Sequence, residues 1–266
     1  MSAPKNKDSM SNVLVVALSV CFVCSIMVAS AAVLLKPQRI ANKNLDRVSN
    51  ILMAAGIRNI SATEVAQQFD RFEVKVVDLL ERRVLSNLEV LDLGIDTSTY
   101  DQRKASKDPR LSKQLTDDED IASISRRARY SLLYILREEE TEAISKIILP
   151  VHGYGLWSTL YGFISLKGDM NTVSGITFYE HGETAGLGGE VDNPDWKSSW
   201  QGKKIYSDGQ VALTVIKGKA MPASPGYDYQ IDGLSGATLT SRGVENMVSY
   251  WLGEDGFGPV LSKLGG

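Results

Sequence analysis

The chain has 266 residues, 23 % of them charged, and a formal net charge of −3. That length suits one sizeable domain or two small ones, and the mild acidity excludes a nucleic-acid-binding role, which needs a clustered basic face. Both cysteines, Cys21 and Cys24, lie in an apolar N-terminal run, so the remainder has no disulfide and no cysteine-ligated zinc or iron–sulfur centre; His152 and His181 are too few for a His-rich metal cluster.

Residues 1–12 form a short tail carrying Lys5 and Lys7. Residues 13–35 carry no charge, and such a run at about 1.5 Å per residue spans roughly 34 Å, enough for a hydrocarbon core of about 30 Å. A single transmembrane helix is expected. The rival is a cleaved signal peptide, because Ala29-Ser30-Ala31 offers a processing site; the apolar run continues through Val33, Leu34 and Leu35, which favours an anchor. Lys36, Arg39, Lys43 and Arg47 follow the run, and by charge alone they hold the next segment on the cytoplasmic side.

Residues 36–149 read as juxtamembrane helices and a polar α/β region. Residues 44–55 predict a helix stopped by Gly56, and Ser61 with Glu64 predicts a capping box opening another. Residues 72–77 alternate as a strand, and residues 84–93 are ambiguous. Residues 97–120 are strongly polar and read as a solvated loop; the acidic run 117–120 lacks the glycine of a calcium loop. Tyr130, Leu132, Tyr134 and Leu136 alternate as a strand, paired in a hairpin with residues 144–149.

From Pro150 glycines and aromatics rise and charge falls, so residues 150–266 read as a second domain. Residues 151–158, Val-His-Gly-Tyr-Gly-Leu-Trp-Ser, form a Gly/aromatic loop. Its Gly153 and Gly155 admit a close backbone approach, and Tyr154 and Trp157 either cover a ring or build an aromatic corner of the core. Residues 161–167 and 173–179 predict two strands. The following His181-Gly-Glu-Thr-Ala-Gly-Leu-Gly string lacks G-x-G-x-x-G spacing, and no Walker motif occurs, so no NADH or ATP site is expected. Residues 192–195 predict a turn into a short helix with Trp196 and Trp200; residues 211–217 predict a strand, and residues 254–266 a surface tail.

The most informative stretch is Asp232-Gly-Leu-Ser-Gly-Ala-Thr-Leu-Thr-Ser241. Behind it Val244, Met247, Val248, Trp251 and Leu252 fall on one helical stripe. Thr240 or Ser241 is expected to cap this helix, and Gly253 to end it in the left-handed conformation. A Gly/Ser/Thr loop therefore empties into a helix N-terminus, whose free N–H groups favour a phosphate.

Asp232-x-x-Ser235-Gly236-Ala237-Thr238 resembles the flavinylation motif of the FMN-binding domain family. The resemblance implies that Thr238 carries FMN through a phosphoester placed by a separate flavin transferase, with Ser235, Gly236, Ala237 and Thr240 completing the attachment stretch. The His-x-Glu-Thr-x-Gly-Leu-Gly string resembles a second signature of that family, with Ala185 where a proline is usual; it implies that Glu183, Thr184 and Leu187 line the flavin pocket beside Tyr154 and Trp157. His181 stands between a proton-transfer role and a structural one, and the structural role is expected.

The implied fold is α+β, an antiparallel sheet with packed helices behind a single N-terminal transmembrane helix. The anchor and the polar middle are similar to the C subunits of sodium-translocating NADH:quinone oxidoreductases; the G subunits of the ferredoxin-linked complexes are the alternative, and a tethered ectodomain without redox chemistry is the reading from another class. The first resemblance implies an electron carrier in the bacterial inner membrane, with its soluble domain on the periplasmic side, opposite to the charge rule. Its partners are then the other subunits, the transferase and membrane lipid. NADH, quinone and sodium are left to those subunits, and this chain carries no metal ligand and no catalytic residue of its own.

Overall fold

The computed structural model describes residues 10–58 and 60–265; Lys5 and Lys7 lie outside the described residues. Two compact units divide the chain, residues 1–46 and 47–266. In the first, helix α1 (Met10–Leu34) is long and apolar enough to cross a membrane, and all its side chains are exposed. Helix α2 (Lys36–Ala54) begins in this unit and ends in the second. Gly56, at φ +84°, turns the chain after it.

In the second unit, helix α3 (Ala62–Phe69) starts at the expected box, where the Glu64 carboxylate accepts the Ser61 N–H at 2.8 Å. Strands β1 (Phe72–Asp78) and β2 (Arg83–Val84) and helix α4 (Asn87–Asp92) follow. The polar stretch expected as a loop instead holds helix α5 (Gln102–Lys107) and strand β3 (Ser112–Gln114), which pairs with β4 (Arg126–Ala128). Its acids are local caps: Asp101 accepts two N–H groups at the start of α5, and Asp120 accepts those of Ile124 and Ser125.

Strands β5 (Tyr130–Arg137), β6 (Ile144–Tyr154), β7 (Thr159–Lys167) and β8 (Val173–Glu180) complete an antiparallel six-stranded sheet of order β2-β1-β5-β6-β7-β8. Strand β6 runs through Pro150, where the composition changes, and the sheet takes strands from both sides of that point. Beyond Ile148, β6 pairs only with β7, so a residue without an N–H is tolerated at 150.

Both sheet faces are covered. Leu132, Tyr134 and Leu136 face the end of α2, with Ile51 and Leu52, and Val65 of α3. Leu133 and Ile135 face the other way, onto a larger core containing Val244, Met247, Val248 and Trp251. This second cover is why β5 is an unbroken apolar run rather than a clean alternation.

Past β8 the chain forms a 3₁₀ turn (Gly188–Asp192), helix α6 (Pro194–Ser198) capped by Asn193, and the short strands β9 (Tyr206–Ser207), β10 (Gln210–Val211), β11 (Thr214–Val215) and β12 (Gln230–Ile231). The strand predicted at 211–217 is thus two fragments, β10 paired with β9 and β11 paired in parallel with β12.

Helix α7 (Thr238–Leu252) packs its predicted stripe on the sheet. Two expectations about its ends fail. Its N-cap position is Ala237, with no side-chain cap bond; Thr240 and Ser241 lie inside the first turn. Gly253 is extended, at φ −82° and ψ −170°, and its small size is needed because a Cβ there would meet the Ser249 carbonyl at 2.5 Å. The tail is not a surface segment: helix α8 (Gly258–Leu264) buries Val260 and Leu261, and Phe257 ahead of it lies against Trp251.

Candidate functional site

Three segments meet at the start of α7: the loop 155–158 between β6 and β7, residues 181–189 after β8, and the loop 232–237. The first is a tight turn closed by the Gly155 N–H donating to the Ser158 carbonyl at 2.8 Å. The second turns back on itself, with the Thr184 carbonyl accepting the N–H groups of Leu187 at 3.1 Å and Gly189 at 2.9 Å, and with Gly186 at φ +75°. In the third, the Leu234 N–H donates to the Ser241 hydroxyl at 3.0 Å and the Ala237 N–H to the Leu234 carbonyl at 3.1 Å, while Gly236 takes φ +71°.

Glu183 ties these segments together. One carboxylate oxygen, Oε1, accepts the N–H groups of Leu156, Trp157 and Ser158 at 3.1, 2.9 and 3.1 Å. The other, Oε2, accepts the Thr240 hydroxyl at 2.7 Å. The side chain sits in a residue only 8 % exposed. Burial pushes its pKa up, but the Thr240 hydroxyl and the three N–H donors outweigh burial and hold it below the usual carboxylate value.

Glycines from each segment make this packing possible. A Cβ on Gly155 would meet Glu183 Oε1 at 2.7 Å, and one on Gly188 would meet Thr240 Oγ1 at 2.5 Å and Glu183 Oε2 at 2.6 Å. Gly243, one turn into α7, lies against the backbone of Tyr154 and Gly155. A glycine inside an otherwise regular helix is a sequence signal of such close approach, and Gly243 is the residue that could have revealed this contact.

The predicted site residues therefore separate into two groups. Thr240 is fully buried, Ala237 is buried, and Glu183 is committed to internal bonds, so these three build the scaffold. Thr238, Ser235, Gly236 and Thr184 are exposed, and so are Tyr154 (43 %), Trp157 (66 %) and Leu187 (44 %). Leu187 Cδ2 lies 3.0 Å from where a Gly236 Cβ would stand, which brings the second segment over the third. Leu239 and Leu156, which no sequence pattern singles out, add to this exposed apolar surface. His181 is structural: its Nδ1 accepts the Glu183 N–H at 3.2 Å, which leaves the proton on Nε2 to donate to Asp192 at 2.8 Å.

The outer rim fits a flavin nucleotide. The N–H groups of Thr238, Leu239 and Thr240 and the Thr238 hydroxyl have no hydrogen-bond partner among the described residues. The first turn of α7 holds no acid, and Arg242 is exposed one turn beyond Thr238. Such a terminus attracts an anion, and exposed aromatic and aliphatic side chains beside it offer cover for a planar ring.

Comparison with known proteins agrees. The FMN-binding domain family matches residues 155–253. The C subunit of the Na(+)-translocating NADH-quinone reductase of Pseudomonas aeruginosa is 50 % identical over 263 residues, covering 97 % of each chain. The chain belongs to the NqrC family, the C subunits of Na(+)-translocating NADH-quinone reductases. A Haemophilus ducreyi member is 45 % identical over 97 % of this chain and 95 % of its own length. The crystal structure of Shewanella oneidensis NqrC shares the fold with a TM-score of 0.74 at 31 % identity, covering 84 % of this chain and 98 % of the other. The crystal structure of the corresponding Parabacteroides distasonis protein superposes with a TM-score of 0.63 at 26 % identity, over 86 % and 97 %. Both the α+β fold and the family assignment thus agree with the sequence reading, and the chain is a flavoprotein subunit of an oxidoreductase complex.

Proposed function

We propose that this chain carries FMN bonded through its phosphate to Thr238 Oγ and serves as an electron carrier between neighbouring redox centres of the complex. The single observation that carries the reading is the pairing of an exposed Thr238 hydroxyl with three N–H groups at the start of α7, all without a hydrogen-bond partner among the described residues. When bound, the flavin supplies one- and two-electron redox chemistry; the protein supplies position and field. The N–H groups of residues 238–240 would donate to the phosphate, and Arg242 would offset the negative charge that a phosphodiester keeps. Arg242 follows Thr238 on α7 at the i, i+4 spacing from which a long side chain can lean back toward it. Tyr154, Trp157, Leu187 and Leu239, exposed beside this turn, would cover the ring and exclude water from it.

Attachment exchanges the Thr238 O–H bond for an O–P bond as phosphorus parts from the leaving group of a flavin donor. The hydroxyl proton passes to the flavin transferase that performs the step, because no base of this chain bonds the Thr238 hydroxyl among the described residues. A covalent tether suits a carrier facing the periplasm, where a dissociated flavin is lost. In this reading α1 is retained as the anchor, the soluble domain that follows it faces the periplasm of a bacterial inner membrane, and membrane lipid, the other subunits and the transferase are its partners. Residues 150–266 supply every group named here except those of the anchor.

The test is a denaturing gel of the chain produced together with the transferase, viewed under ultraviolet light. A fluorescent band at the mass of the chain is expected, and mass spectrometry of the peptide containing Thr238 should show the added FMN. A bare peptide mass overturns the reading.

A further inference from the structure

We propose that Glu183 is a positioning residue that sets both halves of the flavin site at once, although the family signature in which it lies suggests a ligand contact. The proposal rests on Thr238 being the attachment point. A contact needs an oxygen open to the ligand, and Glu183 is only 8 % exposed. Here Oε1 is shared by three backbone donors of the loop 155–158, and Oε2 is taken by Thr240 at 2.7 Å.

What the carboxylate does follows from helix geometry. Successive residues of an α-helix are about 100° apart, so positions 238 and 240 point about 200° apart. Drawing the Thr240 hydroxyl inward to Glu183 fixes the phase of the first turn and turns Thr238 outward. The same carboxylate holds the N–H groups of Leu156, Trp157 and Ser158, and so holds the loop that presents Trp157 and starts directly after Tyr154. The acceptor hydroxyl and the apolar wall are therefore registered to each other through one side chain. Only an acceptor with two oxygens satisfies all four donors without turning one away; glutamine has a single acceptor oxygen and places an N–H₂ group against either Thr240 or the loop. Gly155 and Gly188 let the carboxylate lie directly against the backbone of both loops, since a Cβ on either would stand within 2.7 Å of it.

The experiment uses the full-length chain, produced with the flavin transferase, as wild type and as Glu183→Gln, Glu183→Ala, Thr240→Ser, Thr240→Val and Thr238→Val. Covalent flavin per folded protein is read from gel fluorescence, and the mobility of the attached ring from its fluorescence anisotropy. Glu183→Ala should lower attachment by about tenfold or more, the scale on which a misplaced reacting group loses rate. Glu183→Gln and Thr240→Val should lower it less, with reduced anisotropy in the protein that is loaded, and Thr240→Ser should restore wild-type values. If folded Glu183→Ala carries wild-type flavin at wild-type anisotropy and only its melting temperature falls, the carboxylate is merely structural and the proposal is overturned. If Glu183→Ala does not fold, Glu183→Gln and Thr240→Val decide by the same two readouts. Fluorescence surviving Thr238→Val, or absent from wild type, overturns the attachment reading itself and this proposal with it; loss in Thr238→Val with full loading in the Glu183 variants overturns the positioning role alone.

Discussion

The inner and outer sides of the first turn of α7 are built from nearly the same residue types and do opposite things. Inside, Thr240 and Ser241 are buried, and each hydroxyl is committed: one donates to Glu183, the other accepts the Leu234 N–H. Outside, Thr238 and Leu239 are exposed, and the Thr238 hydroxyl is uncommitted among the described residues. Helical phase alone separates the buried, committed hydroxyl from the exposed one here; composition does not distinguish Thr238 from Thr240.

The comparison breaks most sharply at Thr238 itself. Thr238→Val should remove covalent flavin completely, measured by gel fluorescence, while shifting the denaturation free energy of the bare protein by no more than about 0.5 kcal/mol, as for an exposed substitution. The inner side should behave in reverse. Gly188→Ala forces a methyl group against Thr240 Oγ1 and Glu183 Oε2 and should cost about 2–3 kcal/mol in urea denaturation, the upper range for overpacking. Thr240→Val leaves the carboxylate short of one donor and should cost about 1–2 kcal/mol by the same measurement, with Thr238 still able to take flavin.

Acid acts on two inward-facing groups, Glu183 under the first turn of α7 and His152 against Trp251 near the far end of that helix. Burial, and secondarily the nearby Arg103, push the His152 imidazole down from 6.5 to about 4. The unfolded chain then binds the proton that the folded chain refuses, so stability is full above about pH 6.5 and is lost as pH falls toward 4. Glu183 is depressed, so its contribution is present above its ordinary value of 4.5 and is lost as pH falls through its lower folded value. Melting temperature against pH should fall in two stages, and His152→Phe should remove the first. The smallest effect is expected on the outer side: Arg242→Gln should lower the stability of flavin-loaded protein by about 0.3–1 kcal/mol and leave the bare protein unchanged.

The outer side is readable from the sequence and the inner side almost invisible in it. Thr238 stands in a motif whose order along the chain carries the information. Glu183 and Thr240 are 57 positions apart, and nothing local says that they meet, so each reads as a flavin contact. Thr240 and Ser241 read as caps because hydroxyls at a helix start normally are; here tertiary partners win over the local N–H groups. The same tertiary override explains the polar stretch 97–120, whose short helix and strand are held by Asp101 and by pairing with β4 rather than by an apolar stripe. By contrast β1, the β5–β6 hairpin, β7, β8 and α7 are legible, since their periodicity is driven by burial on the sheet. The buried tail escapes notice because its anchors, Phe257, Val260, Leu261 and Leu264, are few.

One consequence concerns anyone who wishes to handle the flavin-bearing part in water. The last turns of α2 belong to the sheet's cover: Ile51, Leu52, Ala54 and Ala55 are fully buried, Gly175 lacks a side chain where the Ala54 carbonyl rests, and Thr177 Oγ1 donates to the Asn50 carbonyl at 3.2 Å. A shortened gene that starts at the first strand would unplug that face and leave Val76, Tyr134 and Phe163 wet, inviting precipitation. The cut that removes the lipid-loving part and still yields a manageable reagent has to fall ahead of Arg47.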